Sequence, residues 1–355
     1  MRLEKRSQRS PVALLLAPSG ALLFTLVVAA LLVWLAGKPV GQTFVLLLEG
    51  GFGSAFAWGE TLTRAVPLIF TGLAVAVAFR ARLFNIGAEG QLYAGALAAI
   101  AVGGLHDGEG WSLYPPLLFA LMLLAAVLAG AALLLGPALL KARLGVDEVV
   151  TTLLMNFIAL LAVSALLDGP MKDPLGMGWP QTVALMPELE LGRLVEGSRL
   201  HTGLLWAMGC ALLLWLLLSR TVLGFDIRAT GANAQAAAFA GVNTLRTVVV
   251  TAVLSGGLAG LAGAMEVAGR AGYVTLDLSP GFGYSGIVIA MLAALHPLGV
   301  VGAAVLIAGI VVGADSMSRA VGVPTYIADV IVATALIAVL VASMLTQYRI
   351  RWKAQ

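Results

Sequence analysis

Charge is what this sequence has least of. Asp, Glu, Lys and Arg make up 11% of its 355 residues, where a soluble domain carries about 25%. A chain of this size cannot dress its surface for water with so few charges, so it reads as an integral membrane protein. Cysteine is nearly absent: Cys210 is alone and sits in an apolar run, which excludes an internal disulfide. The three histidines, His106, His201 and His296, are scattered and form no metal site. No G-x-x-x-x-G-K-[ST] occurs, so the chain has no P-loop of its own, and neither H-E-x-x-H nor G-x-S-x-G is present. GFGYSG at 281–286 has the spacing G-x-G-x-x-G but follows no strand of a βαβ unit, and reads as close helix packing. Few charges fall in the middle of apolar runs, which disfavours a proton-driven pump.

What the chain has in plenty is apolar length. Hydrophobic residues make up 60% of it and its mean hydropathy is +1.00. Runs near 20 apolar residues recur without the alternation of barrel strands, so the expected fold is all-α with about ten transmembrane helices. The spans fall near 14–36, 61–79, 85–104, 113–137, 148–167, 202–219, 246–268, 281–296, 298–316 and 326–345. The N-terminus MRLEKRSQRSPVALLLAPSG imitates a signal peptide, but its apolar run continues through Ala36 and no A-x-A site closes it, so an uncleaved first helix is expected. With both termini cytoplasmic, 14 Lys and Arg residues lie inside and 7 outside, the latter spread over longer loops. That bias fits the positive-inside rule and accounts for the net charge of +3 without nucleic acid.

The whole chain, 1–355, reads as a single transmembrane domain with two longer outside segments. Residues 37–60 could lie along the membrane surface with Trp58 at the interface. The loop 168–201, with DGPMKDPLGMGWPQ, is irregular and rich in Pro and Gly, and is either a connection or a docking surface for an external partner. Two stretches repeat: ARLGVDEVVTTLLMNFIALLAV at 142–163 and RAVGVPTYIADVIVATALIAVL at 319–340 share a Gly-Val pair before a polar first turn. TGLAVAVA at 71–78 resembles GGLAGLAG at 256–263, and NIGAEGQ at 85–91 precedes a helix as PGFGYSG does at 280–286. A first repeat of about 61–167 and a second of about 246–345 therefore emerge, with opposite topology by the charge map. Inverted repeats mark transporters whose substrate path runs between the halves.

The corner FRARLFNIGAEGQLYAGALAA at 79–99 spends many polar residues between two apolar runs. Irregular backbone survives at membrane depth only when buried or facing a wet cavity, so the corner is expected to form the inner end of a path, with PGFGYSG its counterpart on the outside. A neutral polar substrate needs hydrogen-bonding groups there. Asn85, Gln91 and Asn156 are the first candidates, with Thr152 one turn before Asn156, and Tyr284 and Glu89 behind them. Asn156 lies nine residues past Asp147, about 13 Å into its helix. Such groups either line a path or bind helices together, and Glu89 either faces the path or pairs with an arginine. Glu266 and Arg270, four apart, read as a local ion pair.

The loop 220–245 holds GANAQAAAFAGVN, in which Asn233 can cap a short helix, Ala234 to Ala240, ended by Gly241. That helix lacks the apolar face needed to fold alone, and small side chains let another protein approach. The pattern G-x-N-x-x-A-A-x-x-x-G-[IV]-N, here Gly231, Asn233, Ala236, Ala237, Gly241, Val242 and Asn243, resembles the coupling loop of ATP-binding-cassette (ABC) importer permeases. LFNIGAEGQLYAGALAA, LGVDEVVTTLLMNFIALL at 144–161 and GFGYSGIVIAMLAALHPLGVVGAAV at 281–305 resemble the nucleoside-type subgroup of the permease family that also serves ribose and branched-chain amino acids. The resemblance implies a multi-pass translocation subunit of the bacterial inner membrane and not an enzyme. It implies a second permease subunit, identical or different, two cytoplasmic ATPase subunits that carry ATP and Mg, and an extracytoplasmic substrate-binding protein. This chain would bind no cofactor, metal or nucleic acid, and its remaining partner would be membrane lipid. Coupling would run through Arg228, Gly231, Asn233, Ala236, Ala237, Gly241 and Asn243, and the substrate would be a nucleoside delivered by alternating access. A sugar permease of the ribose or galactose type, a secondary carrier with inverted repeats and a channel are the competing readings.

Overall fold

The structure, a computed structural model, describes residues 2–5, 11–105, 111–322 and 348–351 with scattered positions between 326 and 341. His106 and most of the tenth expected span lie outside the described residues. The helices, in chain order, are α1 (Pro11–Leu35), α2 (Val40–Phe52), α3 (Ala55–Arg80), α4 (Ala88–Gly103), α5 (Pro115–Leu144), α6 (Glu148–Asp168), α7 (Gly203–Arg220), α8 (Val222–Ala232), α9 (Ala234–Phe239), α10 (Thr244–Glu266), α11 (Phe282–Leu292) and α12 (Pro297–Val321). A π-helical turn, Val267–Ala271, prolongs α10. A four-residue antiparallel pairing joins Arg2–Lys5 to Tyr348–Arg351. Among the described residues, α3, α5, α6, α7, α10 with its π turn, and α12 are each long and apolar enough to cross a membrane. Helix stands at all of the first nine expected stretches, but α4 and α11 are short, a point taken up below.

Two compact units emerge from the contacts: residues 1–61 with 306–355, and residues 62–305. In the first, α1 and α2 meet at a bend of 117°. The segment 37–60 carries α2 and the start of α3, and α2 packs against the C-terminal half of α12. Glycines make this possible: a Cβ on Gly51 would stand 2.3 Å from the Gly309 carbonyl oxygen, and one on Gly313 would stand 2.0 Å from that of Leu47. The Thr61 hydroxyl donates to the Gly51 carbonyl at 2.8 Å, and the Trp58 ring meets Phe52 edge-on at 5.1 Å.

In the second unit, α4, α5 and α10 are laced together by small residues, because in lipid only close van der Waals contact and hydrogen bonding hold helices to each other. A Cβ on Gly95 would lie 2.1 Å from the Gly260 carbonyl oxygen, one on Gly260 2.1 Å from that of Ala126, and one on Gly130 2.2 Å from that of Gly256. The GGLAGLAG run is thus the packing face of α10 toward two partners at once.

The loop 169–201 closes one end of this unit. Its backbone pairs with the C-terminal end of α4 through a bridge between Gly104 and Leu185. It pairs with the stretch after α10 through Thr182 N–H to Val274 O (3.0 Å), Leu185 N–H to Gly272 O (2.7 Å) and Leu191 N–H to Ala268 O (2.8 Å). His201 is the buried hinge post of this cap. Its Nδ1 accepts the Gly203 N–H at 3.2 Å, its ring fills the space beside Gly269, and its Nε2 has no partner among the described residues. Burial first, and the Arg270 charge second, hold its pKa down at about 4 against 6.5. The unfolded chain therefore binds a proton below about 6.5 that the fold refuses until about 4, so the neutral imidazole's contribution to stability is lost as pH falls through that window.

Two outcomes follow from this packing. Gly260→Ala should cost about 1–3 kcal/mol by overpacking, seen as a lower melting temperature in detergent, whereas Gly302→Ala, with nothing within 4 Å of the added Cβ, should leave it unchanged. Between neutral pH and about 4 the wild type should lose more stability than His201→Asn, which keeps an acceptor for the Gly203 N–H without a titrating ring; parallel curves would place the acid sensitivity elsewhere.

Candidate functional site

The polar corner after α3 is a climb, not a surface loop. From Phe84 to Gly90 the backbone follows α6 upward. Phe84 N–H donates to Glu148 Oε1 (3.2 Å), Ile86 N–H to Thr152 Oγ1 (3.2 Å) and Gly90 N–H to Asn156 Oδ1 (2.9 Å), while the Asn156 amide returns a bond to Ile86 O (2.8 Å). Glu148, Thr152 and Asn156 are spaced four apart, one face of α6, so the ascent covers eight residues or about 12 Å. Without these side chains the non-helical backbone would be stranded in a low-dielectric interior. Asn85 and Gln91 exchange two amide bonds of 2.9 Å each, and Asn85 also donates to Ser255 Oγ on α10 (2.9 Å), which donates in turn to Ala74 O on α3 (2.7 Å).

Helix α4 therefore begins deep. Its 16 residues make about 24 Å and the 11 of α11 about 16 Å, both short of the roughly 30 Å hydrocarbon layer. The two start at the same place. Glu89 Oε2 accepts the Gly283 N–H at 2.6 Å, while the Gly281 N–H donates to Ser279 Oγ at 3.2 Å. A Cβ on Gly283 would stand 2.2 Å from the Glu89 nitrogen. From that junction the helices leave in opposite directions: α4 ends at Gly104, paired with the cap, and α11 ends in the turn whose Leu295 carbonyl accepts from Arg80 Nε at 3.0 Å. PGFGYSG, expected on the outer face as a distant counterpart of NIGAEGQ, is thus in contact with it. Glu89 caps the first turn of α11, where free N–H groups and the helix dipole favour a carboxylate. Gly281, at φ +91°, allows the turn into α11, and Ser279 Oγ accepts the Phe282 N–H (2.9 Å).

Of the six candidate path residues, Asn85, Glu89, Gln91, Thr152 and Asn156 are buried, whereas Tyr284 is 39% exposed. The Asn156 amide donates to the Tyr284 hydroxyl (3.2 Å), so Tyr284 is the outlet of the buried cluster to an open face. Glu266 and Arg270 form the local pair expected from their spacing.

The loop 220–245 folds as α8 and α9. Asn233 Oδ1 accepts the Gln235 and Ala236 N–H groups and so starts α9, Gly241 ends it at φ +90°, and Asn243 Oδ1 accepts the Arg246 N–H to start α10. A Cβ on Gly231 would be 1.8 Å from the Arg80 carbonyl oxygen, so α8 rests directly on the end of α3. Ala236 is exposed, but Ala237 is the buried residue of α9; its methyl faces the protein. Arg228 is half-buried beside Arg80. What projects is Phe239, 97% exposed.

Residues 57–340 match the family described as the permease component of branched-chain amino acid transport systems. The chain belongs to this family. The permease is 36% identical to the guanosine ABC transporter permease protein NupP of Bacillus subtilis, over 95% of each chain. It is 36% identical to the glucose ABC transporter permease protein TsgB13 of Haloferax volcanii, over 90% of this chain and 85% of that one. It is 30% identical to the nucleoside ABC transporter permease protein NupB of Lactococcus lactis, over 90% and 88%. It is accordingly a membrane permease of the ABC type.

Several residues of the permease site carried little signal in sequence. Glu148 was visible only as a polar first turn; here it accepts from Phe84 N–H and from Lys141 Nζ at 2.5 Å. Ser255 was one hydroxyl in a Gly/Ala run. Phe239 was legible as the one large side chain among alanines. Glu89→Leu should lose about 1.5–3 kcal/mol, the worth of bonds to a charged acceptor, while Glu89→Gln, which still accepts from Gly283 N–H, should lose distinctly less; urea or thermal unfolding of the two variants checks the order.

Proposed function

We propose that the permease is the translocation subunit of an ATP-driven, binding-protein-dependent importer whose substrate is a nucleoside. Ten spans, two inverted repeats over about 61–167 and 246–345, and termini both in the cytoplasm complete the picture. The observation that carries the coupling half of this reading is α9, capped at both ends and presenting Phe239 almost wholly to solvent. This short helix is started by the Asn233 side chain and ended at Gly241, and an exposed aromatic on it is the kind of anchor that dominates a protein interface. An ATPase subunit docks there, one of two that serve the pair of permease chains, with ATP and Mg on the ATPase side. A second permease chain completes the pathway.

Other features support the same reading. Gly145 and Gly322, which correspond in the two repeats, take φ of +67° and +66°. The half-helices α4 and α11 run in opposite directions from a common junction, as an inverted pair does. On the proposed outer face, Arg193, Arg199, Arg270 and Tyr273 line a cavity of about 450 Å³ with Asp277, a surface suited to an acidic edge of an extracytoplasmic binding protein. The names of NupP and NupB support a nucleoside substrate, and TsgB13 supports a sugar as the second reading. Tyr284 and the Asn156 amide it receives line the path, while Asn85, Gln91, Thr152 and Glu89 set its shape. These groups suit an uncharged substrate rich in hydroxyls and ring nitrogens.

In a deletion strain, restoring the gene should restore uptake of labelled adenosine and uridine and not of ribose; ribose uptake alone would overturn the substrate assignment. Phe239→Ala should weaken ATPase association more than tenfold, the scale of an aromatic anchor, with the permease still in the membrane. Unchanged co-purification and uptake would remove α9 as the docking element. Ala237→Arg serves this purpose less well, since its side chain would first have to leave the protein interior.

A further inference from the structure

At the end of α7 near Arg220 lies a cavity of about 300 Å³. Arg80 of α3 and Arg228 of α8 line it, with His296 from the turn before α12, while Trp215, Leu218 and Pro297 form an apolar wall. Among the described residues, no carboxylate lines it. The two guanidinium groups act on each other as like charges. Arg80 is tied in place through Nε to the Leu295 carbonyl, in a turn where Ala294 and Leu295 both take left-handed φ, 49° and 60°. Two cations lining one partly buried hollow are unfavourable unless an anion joins them.

The position of the hollow says which anion. Trp215 is five residues before Arg220, the last residue of α7, so the cavity reaches about 7 Å inward from the helix end, the depth of the headgroup layer. Tryptophan favours that layer. Further into the membrane, α7 presents Leu212, Leu213 and Leu216 outward, an apolar track leading to the same point. Phe239, the element that offers itself to a soluble partner, stands on α9, and a carboxylate of an ATPase would have to enter the headgroup layer to reach Arg80.

We propose that this cavity binds an anionic phospholipid of the cytoplasmic leaflet, its phosphodiester held between Arg80 and Arg228 and one acyl chain lying along α7. Basic hollows between transmembrane helices suit such headgroups. The proposal rests on the cytoplasmic placement of 220–245 and is independent of the substrate, so a failed uptake assay and a failed lipid assay are separate results.

The test uses the full chain reconstituted in phosphatidylcholine bilayers containing acyl-brominated phosphatidylglycerol or, at the same fraction, acyl-brominated phosphatidylcholine. The Trp215 signal is the fluorescence difference from Trp215→Phe. Brominated phosphatidylglycerol should quench Trp215 more strongly, Arg228→Gln should reduce that preference about fivefold, the scale of one basic side chain near the surface, and Arg228→Lys should keep most of it. Equal quenching by both lipids, or an unchanged preference in Arg228→Gln, would overturn the proposal. Equal loss in the Lys and Gln variants would rule out recognition by charge. Loss of the preference on adding inorganic phosphate would assign the cavity to a soluble anion, and loss on adding the ATPase subunits would assign it to a protein carboxylate; either result contradicts the lipid.

Discussion

The bond from Gly283 N–H to the Glu89 carboxylate joins the first turns of two helices that cannot cross a membrane separately. A break in a transmembrane helix frees N–H and C=O groups that hydrocarbon cannot satisfy. Here each break is answered within the protein. The ascent to α4 is answered by Glu148, Thr152 and Asn156, and the start of α11 by Glu89 and Ser279. The close approach requires Gly283, and the surrounding helices tolerate it because α4, α5 and α10 are pressed together on glycines. Polar groups are spent at this corner to make a buried joint, and Tyr284 is where the joint opens.

The joint is mechanically continuous with the loop proposed to receive the ATPase. Gly231 of α8 rests on the Arg80 carbonyl, Lys141 Nζ donates to the Arg82 carbonyl and pairs with Glu148, and two residues past Arg82 the backbone is bonded to Glu148 through Phe84. These contacts connect α8, which is followed directly by α9, to the foot of the ascent that carries α4. For nucleotide to drive transport it must favour one arrangement of these parts over another. A chain of direct contacts from α9 to the α4–α11 junction gives that preference a route.

Much of this architecture is legible in sequence, for reasons of scale. Apolar runs report where helices stand, because a membrane helix needs about 20 such residues. The caps Asn233 and Asn243, the terminator Gly241 and the pair Glu266–Arg270 are local signals, decided within five residues. What local signals cannot report is which distant element a polar residue meets. Glu89 and Gly283 are 194 apart in sequence, so NIGAEGQ and PGFGYSG could be matched as counterparts but not brought into contact, and they were assigned to opposite faces. That Ala237 faces inward and Ala236 outward is not legible, because a short helix made mostly of alanine has no amphipathic pattern to announce it. The packing of α2 on α12 is likewise out of reach, because the glycines that let them press together are read from packing, not from hydropathy.

The contact between the two half-helices can be measured directly. Cysteines placed at Ile86 and Tyr284, in a chain whose native Cys210 has been replaced by serine, should be joined within one chain by a short bifunctional thiol reagent in native membranes, since one Asn156 amide donates to both the Ile86 carbonyl (2.8 Å) and the Tyr284 hydroxyl (3.2 Å). An intrachain crosslink of high yield is the expected result. Its absence, with both single cysteines reactive and the protein folded, would mean that the two corners sit on opposite sides of the membrane and that the central joint does not exist.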